Sequence, residues 1–437
     1  MWKKIMLFTS VIFLIGCSIS VNTGELEVLP IRESAVENSP KVITYDNFWD
    51  AMQNFDFEYV ERNSVTENEE HLCFGLQYIF EGEYQKSEKL FSHIIDNDPD
   101  SLFLEKTANI LQGMLTLDFD YLGLIDLDEK LPKNLDELGT IDLVKFYSQG
   151  EPEKIIFANN PVPVETELSI SGVPMVEVEI NGVKKKFWID TGAELTVLAS
   201  DFADKCGFEA DENYTAEVGT STDVKVSTWP VIIDEMKIGD VKIQNHRAFV
   251  IDKKNLTFKM LKIIKLLKID GIIGWNAIQN MKLEIDYKNL QTTITKPVKM
   301  ENKHRNFHFG MVPFISLKDE NNTDFQFFLD TGASSTDFYT KAIAKLDTTG
   351  MEVSKAKIGG AGGFQNIKQY DMFDKTLILG KNQINFAKIA INPDLGDHDD
   401  GFFKFDGVLG SDIAKNGTLI LDFQNGVCEL VIDENND

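Results

Sequence analysis

The chain has few residues of the types that bind metals or form disulfide frameworks. Its 437 residues include four cysteines and six histidines. Because the cysteines lack metal-ligand spacing and the histidines form no His-Glu-x-x-His pattern, we expect neither a metal site nor a cofactor. Beyond the N-terminal segment, Cys73, Cys206 and Cys428 remain. This odd number leaves at least one thiol unpaired, and we expect buried single thiols rather than a Cys206–Cys428 bridge.

Basic residues are scarce relative to acidic ones. Lysine and arginine total 43 against 70 aspartates and glutamates, which gives a net charge of -27. Because an acidic surface repels phosphate backbones, we do not expect nucleic acid as a partner. The chain is too long for one compact core, so two or three domains are expected.

The hydrophobic run at the N-terminus is short. Lys3 and Lys4 precede an apolar stretch from Ile5 to Ile15 that Thr9 and Ser10 interrupt. Such a run is too short for a membrane span, and its basic flank is typical of a signal peptide.

This run ends in Leu14-Ile15-Gly16-Cys17, which resembles the bacterial lipobox. We therefore expect a lipoprotein signal peptide over 1–16, lipidation of Cys17, and a flexible lipid-anchored tether over 17–42. An ordinary signal peptide or an uncleaved anchor is the alternative. A bacterial cell-envelope location outside the cytoplasm follows, and Ser18 favours the outer membrane over the inner.

Residues 43–155 are predicted to form a helical domain. Small and aromatic residues recur there at the spacing of a tetratricopeptide repeat: Gly75, Tyr78, Gly82, Tyr84, Ser87, Phe91 and Pro99. Small residues let two helices cross closely, and the aromatic rings fill the space between them. The domain could bind a protein partner or could pack as a cap on the rest of the chain, and the pattern leaves both open.

From about residue 162 the pattern predicts strands. Val176–Ile180 alternates apolar and polar residues, Asn181-Gly182 predicts a hairpin turn, and the next strand leads into Asp190-Thr191-Gly192. The same plan recurs 140 residues later, where Phe325 to Leu329 leads into Asp330-Thr331-Gly332.

Later landmarks repeat at matched distances from the two aspartates. They are Gly219 and Gly359, Gly239 and Gly380, and the segments Asp270–Gly274 and Asp406–Gly410. This repetition indicates duplication of a whole lobe, with lobe 1 at 162–298 and lobe 2 at 305–437. We predict a multidomain α+β protein with an α-helical N-terminal region and an all-β bilobed region.

These landmarks resemble the pepsin/retropepsin superfamily of aspartic proteases. Each lobe has an Asp-Thr-Gly triplet and a later pair of hydrophobic residues followed by glycine, and the resemblance covers about 275 residues. It implies an acid-protease fold made of two retropepsin-like lobes and a catalytic pair, Asp190 and Asp330. The residues that it implies as active-site support are Thr191, Gly192, Thr331, Gly332, Ile273, Gly274, Leu409 and Gly410.

The residue types explain the implied chemistry. Two carboxyl groups held face to face cannot both ionise, so they share one proton. The ionised partner can take a proton from a water that attacks the peptide carbonyl, while the protonated partner polarises that carbonyl. Because Ala193 and Ala333 offer no hydroxyl to the carboxylates, we expect activity at mildly acidic to near-neutral pH.

These features predict an aspartic endopeptidase that acts on polypeptides. We expect a monomer, because both aspartates lie in one chain. The alternative is a non-catalytic peptide-binding or assembly protein that uses the cleft and the helical domain.

Two segments are candidate flaps that could close over a substrate. One lies near Gly219, and the other contains Gly359, Gly360, Gly362 and Gly363. Simple surface loops are the alternative.

Lobe 1 carries an unusual basic segment from Lys253 to Lys268. Four of its lysines, Lys259, Lys262, Lys265 and Lys268, recur every three residues with apolar residues between them. This predicts an amphipathic basic helix, which could rest on anionic lipid or serve as a connection with a solvated face.

Overall fold

The computed structural model describes residues 26–30, 45, 48–98, 104–131, 141–211, 213–219, 225–260, 264–300, 304–360, 363–392 and 403–432. The predicted signal peptide, Cys17 and Gly362 lie outside these residues. No helix within the described ranges is long and apolar enough to cross a membrane.

The N-terminal region is helical, as predicted. Its helices are α1 Phe48–Gln53, α2 Phe57–Asn63, α3 Glu67–Glu81, α4 Tyr84–Asn97, α5 Leu104–Leu117, α6 Tyr121–Lys130 and α7 Ile141–Ser148. Local residues set the ends of α3. Thr66 and Glu69 form a capping box at its start, and Gly82 ends it with φ of 75°, a conformation that glycine adopts without steric cost.

Helices α3 and α4 cross closely at Gly75. A Cβ at this position would lie 2.3 Å from a ring carbon of Phe91, so the ring occupies the space that a side chain would need. The Ser87 hydroxyl donates a hydrogen bond to the Gly75 carbonyl at 2.8 Å. The predicted roles of the small and aromatic residues in this helix pair therefore match the observed packing.

The rest of the chain is mostly strands. Two short α-helices, α8 Ser200–Lys205 and α9 Trp275–Ile278, and two 3₁₀ helices, Thr340–Ala344 and Ser411–Ala414, interrupt them. The strands are β1 Leu26–Pro30, β2 Lys154–Phe157, β3 Val162–Leu168, β4 Pro174–Ile180, β5 Val183–Ile189, β6 Thr196–Ala199, β7 Ala216–Val218, β8 Val226–Ile238, β9 Val241–Ile251, β10 Thr257–Met260, β11 Ile264–Lys268, β12 Gly271–Ile273, β13 Lys282–Asp286, β14 Gln291–Thr295, β15 Phe307–Gly310, β16 Val312–Asp319, β17 Asp324–Leu329, β18 Asp337–Tyr339, β19 Glu352–Gly360, β20 Gly363–Leu379, β21 Asn382–Asn392, β22 Gly407–Leu409, β23 Gly417–Asp422 and β24 Val427–Ile432.

The two lobes repeat one strand order. Lobe 1 contains the order β4-β5-β12-β6, and lobe 2 contains the order β16-β17-β22-β18. In each lobe the short strand that ends before the supporting glycine pairs parallel with the strand that leads to the aspartate. The same short strand pairs antiparallel with the strand after the aspartate turn. The duplication read from the sequence is therefore a duplication of the fold.

The lobes share a continuous sheet. Strand β13 of lobe 1 pairs antiparallel with β23 of lobe 2, and Leu283 lies opposite Leu421. The sheet continues to β24 on one side and through β14 to β3 on the other. Side chains of this sheet belong to the large apolar core, so the two lobes are joined through buried surface.

The helical region packs against both lobes. The Tyr147 hydroxyl of α7 donates to the Ala248 carbonyl of lobe 1 at 2.8 Å. Phe55 of the α1–α2 turn stacks on Phe314 and Phe403 of lobe 2, with ring centroids 6.2 and 5.7 Å away. The contacts are those of a cap packed on the β region, one of the two alternatives that the sequence left open.

The predicted helix over 253–268 is wrong. Strands β10 and β11 form an antiparallel two-stranded sheet there, closed at its base by a backbone hydrogen bond from Ile269 to Leu256. Both residues are buried in the core of lobe 1, which anchors the hairpin. Lysines spaced every three residues also fit one face of a helix poorly. Three residues fall about 60° short of a full helical turn, so four such lysines would spread over about half of the helix circumference.

Two predicted boundaries need correction. Within the predicted flexible tether over 17–42, Leu26–Pro30 forms β1, which pairs with β21 at the edge of lobe 2. The boundary at 155 falls inside β2, which pairs with β9 of lobe 1. Both strands are short and gain their stability from a sheet edge that is distant in sequence, so local pattern does not reveal them.

Cysteine behaviour follows the expectation. Cys73, Cys206 and Cys428 are unpaired and buried.

The Asn181-Gly182 turn also forms as predicted, with φ of 50° and 77° at its two residues.

Candidate active site

The two Asp-Thr-Gly turns follow β5 and β17 and meet between the lobes. Asp190 and Asp330 have exposed fractions of 0% and 1%. Their backbone N–H groups donate to Ile273 and Leu409 at 3.1 Å in both lobes. The sequence-predicted pair therefore lies together in a buried site that the inter-lobe contact creates.

The threonines interlock the two turns. The Thr191 hydroxyl donates to the Leu329 carbonyl at 2.7 Å and accepts the Thr331 N–H at 3.0 Å. In the opposite direction, the Thr331 hydroxyl donates to the Ile189 carbonyl at 2.8 Å and accepts the Thr191 N–H at 3.0 Å. Four buried hydrogen bonds thus hold each aspartate against the other lobe.

Glycine is required where the turns approach each other. A Cβ at Gly332 would lie 2.5 Å from Asp190 Cγ, and one at Gly192 would lie 2.7 Å from Asp330 Cγ. Each glycine N–H also donates to the carboxylate of its own turn, at 2.9 Å in lobe 1 and 2.8 Å in lobe 2. The absence of a side chain therefore lets a carboxyl group from the other lobe fill the same space.

Gly274 and Gly410 support the turns from behind, where the sequence placed them. A Cβ at Gly274 would lie 2.3 Å from the carbonyl carbon of Leu195, and one at Gly410 would lie 2.4 Å from the Ser335 carbonyl oxygen. Their predicted neighbours, Ile273 and Leu409, are the residues whose carbonyls accept the aspartate N–H groups. Backbone therefore packs directly on backbone beneath each aspartate.

Burial controls the ionisation of the pair. Burial raises the pKa of Asp190 to about 6, while a hydrogen bond with Asp330 and backbone amides oppose the rise. Burial and the charge of Asp190 raise the pKa of Asp330 well above its usual value. Asp190 Oδ2 is buried against the other turn, since a Cβ at Gly332 would lie 2.5 Å from it. The pair therefore keeps one proton at pH values where two separate aspartates would both be ionised.

A second layer of matched residues orders the turns, and the sequence analysis missed it. The Thr196 N–H donates to Asn276 Oδ1, and the Thr336 N–H donates to Asp412 Oδ2, both at 3.0 Å. Each of these threonines also accepts the N–H of the supporting glycine. Thr196 and Thr336 are 140 residues apart, so extending the comparison of the two repeats would have identified them.

Lobe 2 carries an acidic residue where lobe 1 is apolar. Asp337 of β18 lies opposite Val408, whereas the corresponding Val197 of β6 lies opposite Ile272. Asp337 is 2% exposed, and burial together with the charge of Asp412 raises its pKa to about 7. The two sides of the site therefore differ in polarity despite their common fold, a difference visible only on comparing the repeats position by position.

The candidate flap residues lie on hairpins. Gly360 and Gly363 are paired at the end of the β19–β20 hairpin, and Gly359 pairs with Phe364. Gly219 directly follows β7, which pairs with β8. The hairpins have the form that a closing element requires, and closure itself stays a prediction.

One group of side chains could hold a metal ion among the described residues. Ligand atoms of Glu67, His71 and His93 lie within 4.8 Å of one another on α3 and α4. These residues come from two helices, so their spacing in sequence gave no indication of the group. Neither aspartate of the pair belongs to it.

Comparisons with known proteins give one matching family model and a similar solved structure. Residues 176–277 match the model of the aspartyl protease family, a stretch that runs from β4 to α9 and contains the first Asp-Thr-Gly turn and its supporting glycine. The crystal structure of a retropepsin-like aspartic protease from Rickettsia conorii is similar at 20% identity, covering 33% of this chain and 93% of that chain, with a TM-score of 0.22. No curated protein matches the sequence.

Proposed function

We propose that this chain, whose β-rich part is a retropepsin-like aspartyl protease region, is an endopeptidase that hydrolyses peptide bonds with water. The supporting observation is the pair of aspartates, which lie buried in interlocked turns with raised pKa values. In this proposal Asp190 acts as the base and Asp330 as the acid of a pair that shares one proton.

The mechanism follows from this assignment. Asp190 takes a proton from a water held between the carboxyl groups, and the water oxygen attacks the carbonyl carbon of the substrate. Asp330 donates a hydrogen bond to the carbonyl oxygen and stabilises the charge that develops there. The proton that Asp190 took from the water then passes to the leaving nitrogen as the C–N bond breaks, which restores the ionised base. No covalent intermediate is formed with the enzyme.

The pH dependence has a definite sign. Below about pH 6 both carboxyl groups are protonated and no base is available. Above that value one carboxyl group of the pair is ionised while the other keeps its proton. Activity should therefore rise as the pH increases through about 6, which places it on the near-neutral side of the range expected from the sequence.

The test is cleavage of an unstructured protein mixture by residues 18–437 between pH 3 and 8. Asp190→Asn and Asp330→Asn each remove the ability to exchange one proton and should abolish cleavage. Asp204→Asn, an exposed residue of α8, is the matched control and should cleave normally. Cleavage that persists in either dyad variant, or a folded parent protein that cuts nothing, would contradict the proposal and leave the non-catalytic peptide-binding alternative.

We further propose that Cys17 is lipidated and anchors the enzyme to a bacterial membrane outside the cytoplasm. The support is the sequence Leu14-Ile15-Gly16-Cys17 after a short apolar run. Cys17→Ala should move the protein from the membrane fraction to the soluble fraction and abolish incorporation of a labelled fatty acid. Incorporation that continues in this variant would refute lipidation at Cys17.

A further inference from the structure

A large open groove lies between the helical region and lobe 1, away from the aspartate pair. Its volume is about 710 Å³, within the range of small-molecule and peptide-side-chain sites. The α5–α6 turn and the 147–157 segment form much of its lining, together with Arg247 of β9 and the Lys296-Pro297 segment beyond β14. The groove exists because the helices pack against a lobe whose sheet they do not fully cover.

Two buried charged side chains that line the groove each have one atom without a partner among the described residues. Arg247 is 4% exposed, and its Nη1 and Nη2 atoms donate to backbone carbonyls while Nε donates to none. The Glu153 side chain is 7% exposed, and its Oε2 contacts His246 Nδ1 at 2.6 Å while Oε1 has no donor. Leaving such groups unpaired is unfavourable, so a ligand that pairs both would be stabilised.

The unpaired atoms are one donor and one acceptor. Arg247 Nε offers an N–H, and Glu153 Oε1 can accept one. A polypeptide backbone presents both a carbonyl and an N–H, so a peptide offers the two types of partner that these atoms lack. A purely anionic ligand would satisfy Arg247 and be repelled by Glu153.

The lining of the groove favours a cation. Asp118 and Asp120 lie at the α5–α6 turn and are exposed to the groove. With Glu153, three carboxylates line the groove against the two cations Arg247 and Lys296. The charge of Arg247 is already stabilised by its carbonyl partners.

Aromatic side chains also line the groove. Phe119, Tyr121 and Phe157 supply the kind of surface on which the stem of a lysine or arginine packs. The combination of acidic and aromatic side chains therefore fits a basic side chain better than an acidic one.

Shared side chains connect the groove to a cavity that reaches the segment after Asp190. Tyr121 and Tyr147 line both the groove and a small cavity of about 40 Å³ that reaches Glu194. Glu194 is the fourth residue after Asp190. A chain held in the groove therefore lies one layer of side chains from the segment that carries the first aspartate.

We propose that this groove binds an extended polypeptide segment that carries lysine or arginine, as an accessory site for substrate outside the cleft. The role as an accessory substrate site rests on the proposed function, whereas the binding of the peptide can be tested without any cleavage. Recognition combines a backbone contact at Glu153 and Arg247 with a basic side chain held by Asp118 and Asp120.

The probe is a short fluorescein-labelled peptide of alternating lysine and phenylalanine, with a glutamate-for-lysine peptide as its partner. Binding is measured by fluorescence anisotropy with the Asp330→Asn protein, so that the probe is not cut. The double variant Asp118→Asn, Asp120→Asn changes exposed residues, and asparagine keeps the N-cap of α6. Glu153→Gln keeps the shape of the buried side chain, and Glu70→Gln on the exposed face of α3 is the control.

We expect the lysine peptide to bind and the glutamate peptide to bind at least about tenfold more weakly, equivalent to ~1.4 kcal/mol. The double variant and Glu153→Gln should each weaken the lysine peptide by about tenfold, whereas Glu70→Gln should not change its affinity. Equal binding of the two peptides, or unchanged affinity in both groove variants, would overturn the inference.

Cleavage by the protein with both aspartates intact separates this inference from the proposed function. Cleavage without selective binding refutes only the proposal that the groove binds a basic peptide. Selective binding without cleavage refutes the endopeptidase and leaves a peptide-binding protein, while the groove stands.

Discussion

Replacing Thr191 with valine tests whether the interlocked turns hold the lobes together. The substitution keeps the side-chain shape but removes a hydroxyl that donates to Leu329 and accepts from Thr331. It therefore leaves one carbonyl and one N–H buried without a partner. At about 1–3 kcal/mol for each such group, the expected loss is about 2–6 kcal/mol in the free energy of unfolding.

The symmetry of the network makes this prediction stricter. Thr331→Val removes the mirror-related bonds, to Ile189 and from Thr191, at nearly the same distances. The two variants should therefore lose equal stability within about 1 kcal/mol. The double variant should lose less than the sum, because the first substitution already loosens the contact on which the second depends.

Urea unfolding followed by tryptophan fluorescence provides the assay. Trp188 lies two residues before Asp190 and is 1% exposed, so it reports on this part of lobe 1. Thr191→Ser retains the hydroxyl and is the control, with an expected loss below about 1 kcal/mol. A loss below about 0.5 kcal/mol for Thr191→Val, or additive effects in the double variant, would refute the reasoning.

Three further predictions concern the site and its surroundings. Gly332→Ala should abolish cleavage with the fold intact by circular dichroism, since its Cβ would lie 2.5 Å from Asp190 Cγ; an active variant would show that the turns can separate. Ala193→Ser places a hydroxyl beside the catalytic turn and should move the acid limb of the pH–rate profile, set by the Asp190 pKa of about 6, to lower pH; an unmoved limb would contradict that assignment. His308 packs against Phe80, and burial lowers its pKa to about 3. Below about pH 6.5 the unfolded chain therefore binds a proton that the folded state does not, and the free energy of unfolding falls by ~1.4 kcal/mol per pH unit. His308→Phe should remove this loss in urea unfolding compared at pH 7 and 4.5, and an equal loss in parent and variant would exclude His308 as its source.

Much of the β region could be predicted because its determinants are local and occur twice. Asn181-Gly182 favours positive φ, which a tight hairpin turn requires. The strand before each aspartate is apolar, and each later supporting glycine marks a position where backbone packs on backbone. A single copy of these features would be weak evidence, whereas two copies at matched distances predict a duplicated lobe.

The errors have a common physical cause. The lysines of 253–268 fit a helical face only loosely. Burial of Leu256 and Ile269 in the core of lobe 1 stabilises a hairpin instead. Leu26–Pro30 becomes a strand because β21 offers a free edge. In both cases the deciding partner lies far away in sequence, so local pattern could not identify it.

The sequence by itself determined the two lobes, the positions of the aspartates and the helical character of the N-terminal region, because periodicity, turn residues and glycine act on their immediate neighbours. Only the tertiary structure decided that the pKa values of Asp190 and Asp330 are raised, because a pKa depends on burial and on charges brought close by folding. The groove beside Arg247 arises in the same way, since helices and lobe 1 each supply part of its lining. Chemistry that depends on groups from separate elements requires their arrangement in space.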